Sequence, residues 1–133
     1  MSPRRLVLLR LLSVLRRRGI PVAPFTAEYH AIADIGLPAV ALCATSEGAV
    51  QRIVMARYSD VAPALARARA LGSPVIIQRY IAGHEYACGV IQYHGRFLGL
   101  LPVEVIPRRH HESVPWHLSE EAAYSVQQIA ARA

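Results

Sequence analysis

The first apolar run of the chain predicts a helix near the N-terminus. Residues 6–15 are apolar apart from Arg10 and Ser13, and three arginines, Gly19 and Pro21 follow. Arginines complement the negative end of a helix dipole, glycine favours the C′ position, and proline cannot continue the helix. This helix is apolar almost all round, so it needs cover on more than one side. A targeting segment is the alternative, although Arg10 interrupts the apolar core that such a segment requires.

The remaining pattern alternates helices with short strands. Thr26 and Gly36 bracket one short helix, and Ser119 with two glutamates begins the last one. His94-Gly95 separates two apolar runs and is typical of a two-residue hairpin turn. Hairpins mixed with helices predict a single α+β domain spanning residues 1–133, with a mixed or antiparallel sheet. Helices are predicted at 27–35, 61–71 and 119 to about 132, strands at 38–42, 50–57, 74–81, 85–93 and 96–106, and a charged loop at 107–115.

The amino-acid composition excludes several kinds of catalytic and binding site. The 133 residues are 53% hydrophobic and 18% charged, which is typical of a folded protein. All 15 basic residues are arginines, so lysine Schiff bases and phosphate-loop lysines are excluded. Cys43 and Cys88 form no CxxC pair, which predicts two buried thiols in a reducing compartment. No apolar run reaches the roughly 18 residues of a membrane span. We therefore expect a cytoplasmic protein without membrane contact.

Two other kinds of site are disfavoured. His110-His111-Glu112 could suggest a metal, but adjacent histidines point apart, so a solvated loop is the better interpretation. Aromatic residues make up only 7% and are not interleaved with the arginines, which disfavours nucleic-acid binding.

Six segments of the chain carry a family pattern. They are Gly-Ile-Pro-Val-Ala-Pro at 19–24, Ile-Gly-Leu-Pro-Ala-Val at 35–40, Ser-Glu-Gly-Ala-Val at 46–50, residues 75–86, Leu-Pro-Val-Glu-Val-Ile-Pro at 101–107, and residues 114–120. In this chain order they resemble the D-alanine–D-alanine ligase family of ATP-grasp enzymes. The resemblance implies the two-layer ATP-binding lid of that fold, packed as sheets and a hairpin against helices. It also implies an ATP-dependent carboxylate–amine ligase that makes a D-alanine dipeptide for peptidoglycan precursors, with ATP and Mg²⁺ as cofactors.

The resemblance implies a set of nucleotide-binding residues. Glu85 matches the acidic residue that holds the ribose hydroxyls, and a carboxylate can accept two hydrogen bonds from a diol. Ile81 matches the position whose backbone amide meets adenine. Gln78 stands in for an acidic residue near the adenine amino group, where an amide oxygen can still accept a hydrogen bond. The other implied nucleotide-binding residues are Arg79, which follows Gln78, and Ser46 and Gly48 in the loop over the phosphates.

The sequence departs from the family at the phosphate site. Leu42 or Cys43 stands where the family has a phosphate-binding lysine, and Leu8 stands near an earlier lysine. Neither leucine nor cysteine neutralises a triphosphate. The family's magnesium ligands and its N-terminal substrate domain would fall outside residues 1–133. The resemblance therefore implies a truncated ligase with impaired or no catalysis by this chain alone, and no catalytic residue is assigned.

Two alternatives stay open at this stage. The chain could be the lid subunit of a split ATP-grasp ligase, with a partner chain supplying the missing subdomains. It could instead be a non-enzymatic interaction module whose arginine-rich surface contacts a partner. Self-association is a further expectation, because an ATP-binding lid without its neighbours would expose apolar surface.

Overall fold

The computed structural model describes residues 3–44, 50–71, 75–106, 111–113 and 118–133. They form two compact units, Met1–Ile81 and Ala82–Ala133. The predicted α+β class with antiparallel sheets is confirmed, whereas the single-domain interpretation stays a prediction. The elements are α1 (Pro3–Arg17), β1 (Phe25–Thr26), a 3-10 turn (Tyr29–Ala31), α2 (Ile32–Ile35), β2 (Ala39–Ala44), β3 (Val50–Met55), α3 (Tyr58–Ala70), β4 (Val75–Arg79), β5 (Glu85–Ala87), β6 (Val90–Tyr93), β7 (Arg96–Gly99), β8 (Val103–Ile106), β9 (His111–Ser113) and α4 (Glu120–Arg132).

The end of α1 is the one that the sequence predicted. Gly19 has a positive φ of 71°, and its N–H donates to the carbonyl of Arg16 at 3.1 Å. The N–H of Ile20 donates to the carbonyl of Leu15 at 3.0 Å. This pair of bonds is a Schellman motif, which satisfies carbonyls that the helix itself leaves unpaired. Ile20, the residue after this glycine, is buried, as is usual for the residue that follows the glycine of this motif.

The first unit is built on a four-stranded antiparallel sheet in the order β1-β4-β2-β3. Because successive side chains of a strand point to opposite faces, β2 and β4 contribute to two separate cores. One face packs against α2 and α3. This core comprises Ile35, Ala39, Ala41, Cys43, Met55, Ala64, Leu65, Ala68, Val75 and Ile77.

The other face of this sheet packs against α1. Leu8, Leu9 and Leu12 contact a buried cluster that includes Leu42. Leu11 is about half exposed, so the described residues cover α1 mainly on the side that meets the sheet.

Two predicted helices have different bounds in the structure. Within the predicted helix 27–35, the structure has a 3-10 turn from residue 29 followed by the single turn of α2, so the prediction of one continuous helix was wrong. The Thr26 hydroxyl accepts a hydrogen bond from the Glu28 N–H and so makes a local turn. Helix α3 begins at Tyr58, three residues earlier than predicted, because the Asp60 carboxylate accepts bonds from the N–H groups of Ala56 and Arg57 at 3.0 and 2.9 Å.

The second unit confirms the hairpin and corrects its strands. His94 and Gly95 both have positive φ, which is the conformation of a type I′ turn between β6 and β7. The predicted long strands are each broken in two. Val90 pairs with Gly99, and Ala87 pairs with Val103. Between these pairs, residues 88–89 of one strand stand opposite residues 100–102 of the other. This extra residue is a β-bulge, and it shifts the strand register by one.

The region after β8 was predicted as a loop, but it contains a third strand of a small sheet. Strand β9 pairs with β8, and the order of this sheet is β5-β8-β9. Helix α4 then begins as predicted, since the Ser119 hydroxyl accepts a hydrogen bond from the Ala122 N–H at 3.2 Å.

Candidate nucleotide-binding site

Gln78 lies near the end of β4 with a fixed amide orientation. Its side chain is half-buried, and its Nε2 donates to the carbonyl oxygen of Ala23 at 3.3 Å. Since Nε2 is engaged in this way, the side chain presents Oε1 as its acceptor. The amide therefore offers an acceptor of the kind that an amino group on a purine ring requires.

Arg79 follows Gln78 at the end of β4, where backbone hydrogen bonds hold the strand in place. Its Nη1 donates to the Ile35 carbonyl at 3.5 Å, a long and weak bond. The backbone N–H of Arg79 donates to Pro24 at 2.8 Å, and that of Tyr80 donates to Pro38 at 3.0 Å. The strand end is thus bonded to two proline-containing segments. These bonds give Gln78 and Arg79 a defined backbone position.

The remaining predicted site residues are distributed differently. Ile81 follows β4 with its side chain 69% exposed. Glu85 begins β5 in the second unit, where it is exposed and stands opposite Val105 in the ladder. Ser46 and Gly48 lie outside the described residues. Gln78, Arg79 and Ile81 are therefore neighbours because they follow one another along the chain. The nucleotide-binding role of every predicted site residue stays a prediction.

The two candidates for the missing lysine position lie on opposite faces of the sheet. Leu42 points toward α1 and is only 8% exposed. Cys43 is buried in the core beneath α3. Leu8, which stands near the family's earlier lysine, packs into the same cluster as Leu42. All three side chains therefore serve apolar packing, and none supplies a charge for a phosphate.

The two thiols differ in their surroundings. Cys43 is buried and Cys88 is only half-buried. The prediction of a buried thiol is therefore confirmed for Cys43 and wrong for Cys88. Cys88 lies where the ladder slips, and its Sγ contacts the Leu100 carbonyl at 3.1 Å. Burial raises the pKa of the Cys43 thiol above its ordinary value of 9.0, while the positive charge of Arg67 opposes part of the shift.

This raised pKa gives a pH-dependent prediction. The Cys43 thiol favours folding in its neutral form, so its contribution is complete below the unfolded-state pKa and is lost as the pH rises through the higher folded-state pKa. We expect the free energy of unfolding to fall more steeply above pH of about 9 in the wild type than in Cys43→Ala. Urea unfolding at neutral and alkaline pH measures this difference. Cys88→Ala, which removes the other thiol, is measured alongside for comparison. An identical slope in Cys43→Ala would contradict the assignment.

The structure also shows an ionisable pair that the sequence did not indicate. His84 Nδ1 and Glu104 Oε1 are 2.6 Å apart, with the histidine side chain largely exposed and the glutamate mostly covered. The two residues are 20 positions apart, and they meet because β5 pairs with β8 in the slipped register. That register depends on the bulge, and no local sequence signal places it.

Metal-ligating side chains do not cluster in the described part of the chain. Its histidine, cysteine, aspartate and glutamate residues form no group of three or more that could hold a metal ion. None of the helices in this part of the protein is long and apolar enough to cross a membrane.

Comparison with known proteins identifies the fold. No protein-family model and no curated protein sequence matches the chain. Among solved structures, N5-carboxyaminoimidazole ribonucleotide synthetase from Thermus thermophilus superposes with a TM-score of 0.71 over 93% of this chain, at 18% identity. The chain has the ATP-grasp fold.

Two further solved structures agree with this. N5-carboxyaminoimidazole synthase from Aspergillus clavatus, solved with ADP and 5-aminoimidazole ribonucleotide, gives a TM-score of 0.70 over 89% of the chain at 18% identity. D-alanine-D-alanine ligase from Coxiella burnetii gives 0.60 over 89% at 22% identity. The ATP-grasp region described here spans 36%, 34% and 36% of these three proteins, so it corresponds to about a third of each.

Proposed function

We propose that this chain carries the adenosine-binding part of an ATP-grasp nucleotide site and binds ATP. The observation that supports this most directly is the ATP-grasp fold over 93% of the chain. A second supporting observation is the amide of Gln78, which a hydrogen bond to Ala23 orients. Its Oε1 can accept a hydrogen bond from the adenine amino group. The Aspergillus clavatus neighbour was solved with ADP.

In this proposal each predicted residue has a distinct task. Gln78 recognises the amino group of adenine, the backbone of Ile81 meets the ring, and Glu85 holds the ribose hydroxyls. Arg79 contributes its guanidinium to the same nucleotide site, and its backbone N–H fixes the end of β4 by donating to the Pro24 carbonyl. Ser46 and Gly48 cover the phosphates through the backbone N–H groups of their loop.

The proposed class is an ATP-dependent carboxylate–amine ligase of the D-alanine–D-alanine ligase type. The six sequence segments favour that family, while the carboxyaminoimidazole enzymes superpose with the higher TM-scores. Because Leu42 and Cys43 are packed in apolar cores, we propose that the chain alone ligates poorly or not at all. Magnesium would enter with the phosphates of the nucleotide. The free thiols agree with a cytoplasmic location.

Calorimetric titration with ATP and Mg²⁺ tests the proposal. We expect the wild type to bind ATP and Glu85→Ala to bind about tenfold more weakly, because the ribose would lose a charge-assisted acceptor. Glu28→Ala is the matched control, since it removes an exposed glutamate elsewhere in the chain and should leave affinity unchanged.

Two outcomes would contradict this proposal. Absence of binding at millimolar ATP would leave an interaction module with an arginine-rich surface as the better function. Equal weakening by Glu85→Ala and Glu28→Ala would reject a specific ribose contact at Glu85, because the loss of a negative charge by itself favours binding of the ATP anion.

A further inference from the structure

The pair formed by His84 and Glu104 lies directly beside Glu85, the residue to which the proposed function assigns the ribose hydroxyls. Glu85 is the first residue of β5, a strand of three residues that pairs with β8. The backbone of β5 sets the position of the Glu85 Cα atom and thereby the reach of its carboxylate. The first pair of a short strand opens easily, because further pairs support it on one side only.

The chain enters β5 through a glycine in an unusual conformation. Gly83 has a φ of 143°, which residues with side chains rarely adopt. A Cβ atom at this position would meet no atom of the described residues within 4 Å, so packing does not hold the turn on that side. The start of β5 therefore depends on contacts made after Gly83.

His84 makes such a contact with β8. Its Nδ1 lies 2.6 Å from Oε1 of Glu104. An ionised carboxylate only accepts hydrogen bonds, so Nδ1 carries the hydrogen and donates it. The Glu104 side chain is only 17% exposed, and a hydrogen bond to a charged acceptor is stronger where water is largely excluded. The bond therefore ties the residue before β5 to β8.

The strand register shows that this bond crosses the ladder diagonally. Tyr86 stands opposite Glu104, and the rings of His84 and Tyr86 have their centroids 6.3 Å apart. This arrangement places His84, Tyr86 and Glu104 on one face, as expected for side chains two residues apart along an extended chain. Glu85 lies between His84 and Tyr86, so alternation turns it to the opposite face. The bond therefore acts on Glu85 through the backbone and does not occupy its face.

We infer that His84 is a positioning residue for the ribose site. Through its bond to Glu104 it holds the start of β5, and so the Glu85 carboxylate, where that carboxylate meets the ribose hydroxyls. This inference rests on the proposed function, which supplies the ribose contact of Glu85. Because His84 acts only through Glu85, losing its bond cannot weaken ATP binding more than losing Glu85 itself, which is about tenfold.

Calorimetric titration of His84→Ala with ATP and Mg²⁺ tests this role. We expect binding about fivefold weaker than in the wild type, and no further loss when the substitution is added to Glu85→Ala. His84→Asn should keep most of the affinity, since the asparagine Nδ2 can replace the imidazole Nδ1 as donor. His30→Ala is the matched control. It removes a histidine whose Nε2 lies 3.0 Å from Oε2 of Glu28 in the first unit, and it should leave the affinity unchanged.

Two further measurements separate positioning from a general loss of folded protein. The nucleotide 2′-deoxy-ATP lacks one hydroxyl of the ribose, so the wild type should prefer ATP, and this preference should fall in His84→Ala. A smaller folded fraction would lower both affinities alike and leave their ratio unchanged. Hydrogen exchange without nucleotide should be faster at residues 85–87 in His84→Ala than in the wild type or His84→Asn, because the start of β5 would open more often.

Three results would overturn this inference. They are an affinity of His84→Ala equal to that of the wild type, an equal loss with and without Glu85, and an unchanged preference for ATP over 2′-deoxy-ATP. In each case, ATP binding that Glu85→Ala weakens would still support the proposed function. A wild type that binds no ATP would instead reject the proposed function, and the ribose role of His84 with it.

Discussion

Leu42→Lys is expected to destabilise the protein by roughly 3 kcal/mol and to leave its affinity for ATP no higher. The substitution places a lysine at one of the two positions where the ligase family has it. In this structure, however, Leu42 is 8% exposed and packs against the same cluster as Leu8 and Leu12 of α1. An ammonium group there would lose its hydration without gaining a partner. Urea unfolding measures the stability, and calorimetry with ATP and Mg²⁺ measures the affinity.

Val54→Lys is the control for this experiment. Val54 stands on the same face of the sheet, since it pairs with Val40, but it lies on β3 beyond the cover of α1 and is 54% exposed. A lysine at this position should cost less than about 0.5 kcal/mol. If Leu42→Lys remained as stable as Val54→Lys and bound ATP more tightly than the wild type, then position 42 would face the nucleotide and the packing argument would fail.

Gly99→Ala is expected to lower the free energy of unfolding by about 2 kcal/mol, because the added methyl group would overlap the backbone of α4. Its Cβ would lie 2.5 Å from the oxygen and 2.8 Å from the Cα of Gln127. Backbone atoms cannot rotate away as a side chain can, so the helix must move. Hydrogen exchange should show faster exchange throughout α4, and urea unfolding should show the loss of stability.

Gly89→Ala gives the comparison for this effect. The Cβ atom at position 89 would lie 3.2 Å from Cδ1 of Leu100, which is the flexible end of a side chain. We expect a loss below about 1 kcal/mol and no change of exchange in α4. Equal losses for the two variants would indicate that glycine contributes through backbone freedom alone and that α4 does not rest on β7.

The features that the sequence predicted well are those with local causes. The end of α1 could be predicted from Gly19 after three arginines alone, and the structure shows the expected positive φ at this glycine. The His94-Gly95 turn could be predicted from two residues that accept a positive φ between two apolar runs. Ser119 begins α4 through a bond to a residue three positions away. Each feature depends on the conformation of a few neighbouring residues, so the sequence contains its signal.

The geometry of the candidate site could not be predicted from the sequence, because it depends on distant contacts. The sequence named Gln78, but its amide orientation comes from the carbonyl of Ala23, 55 residues away in the chain. The sequence also could not choose between Leu42 and Cys43. The structure places them in different cores, because adjacent residues of a strand face opposite sides.

The sequence by itself determined the α+β class, the hairpin turn, the end of α1, the start of α4 and the resemblance to ATP-grasp ligases. Only the tertiary structure decided how residues far apart in the chain combine. It divided the two long predicted strands, added β9, and brought His84 to Glu104 through a register that slips by one residue. It also showed which apolar residues of the hairpin stay exposed. The physical reason is that local propensity acts over a few residues, whereas register and burial depend on the packing of the whole unit.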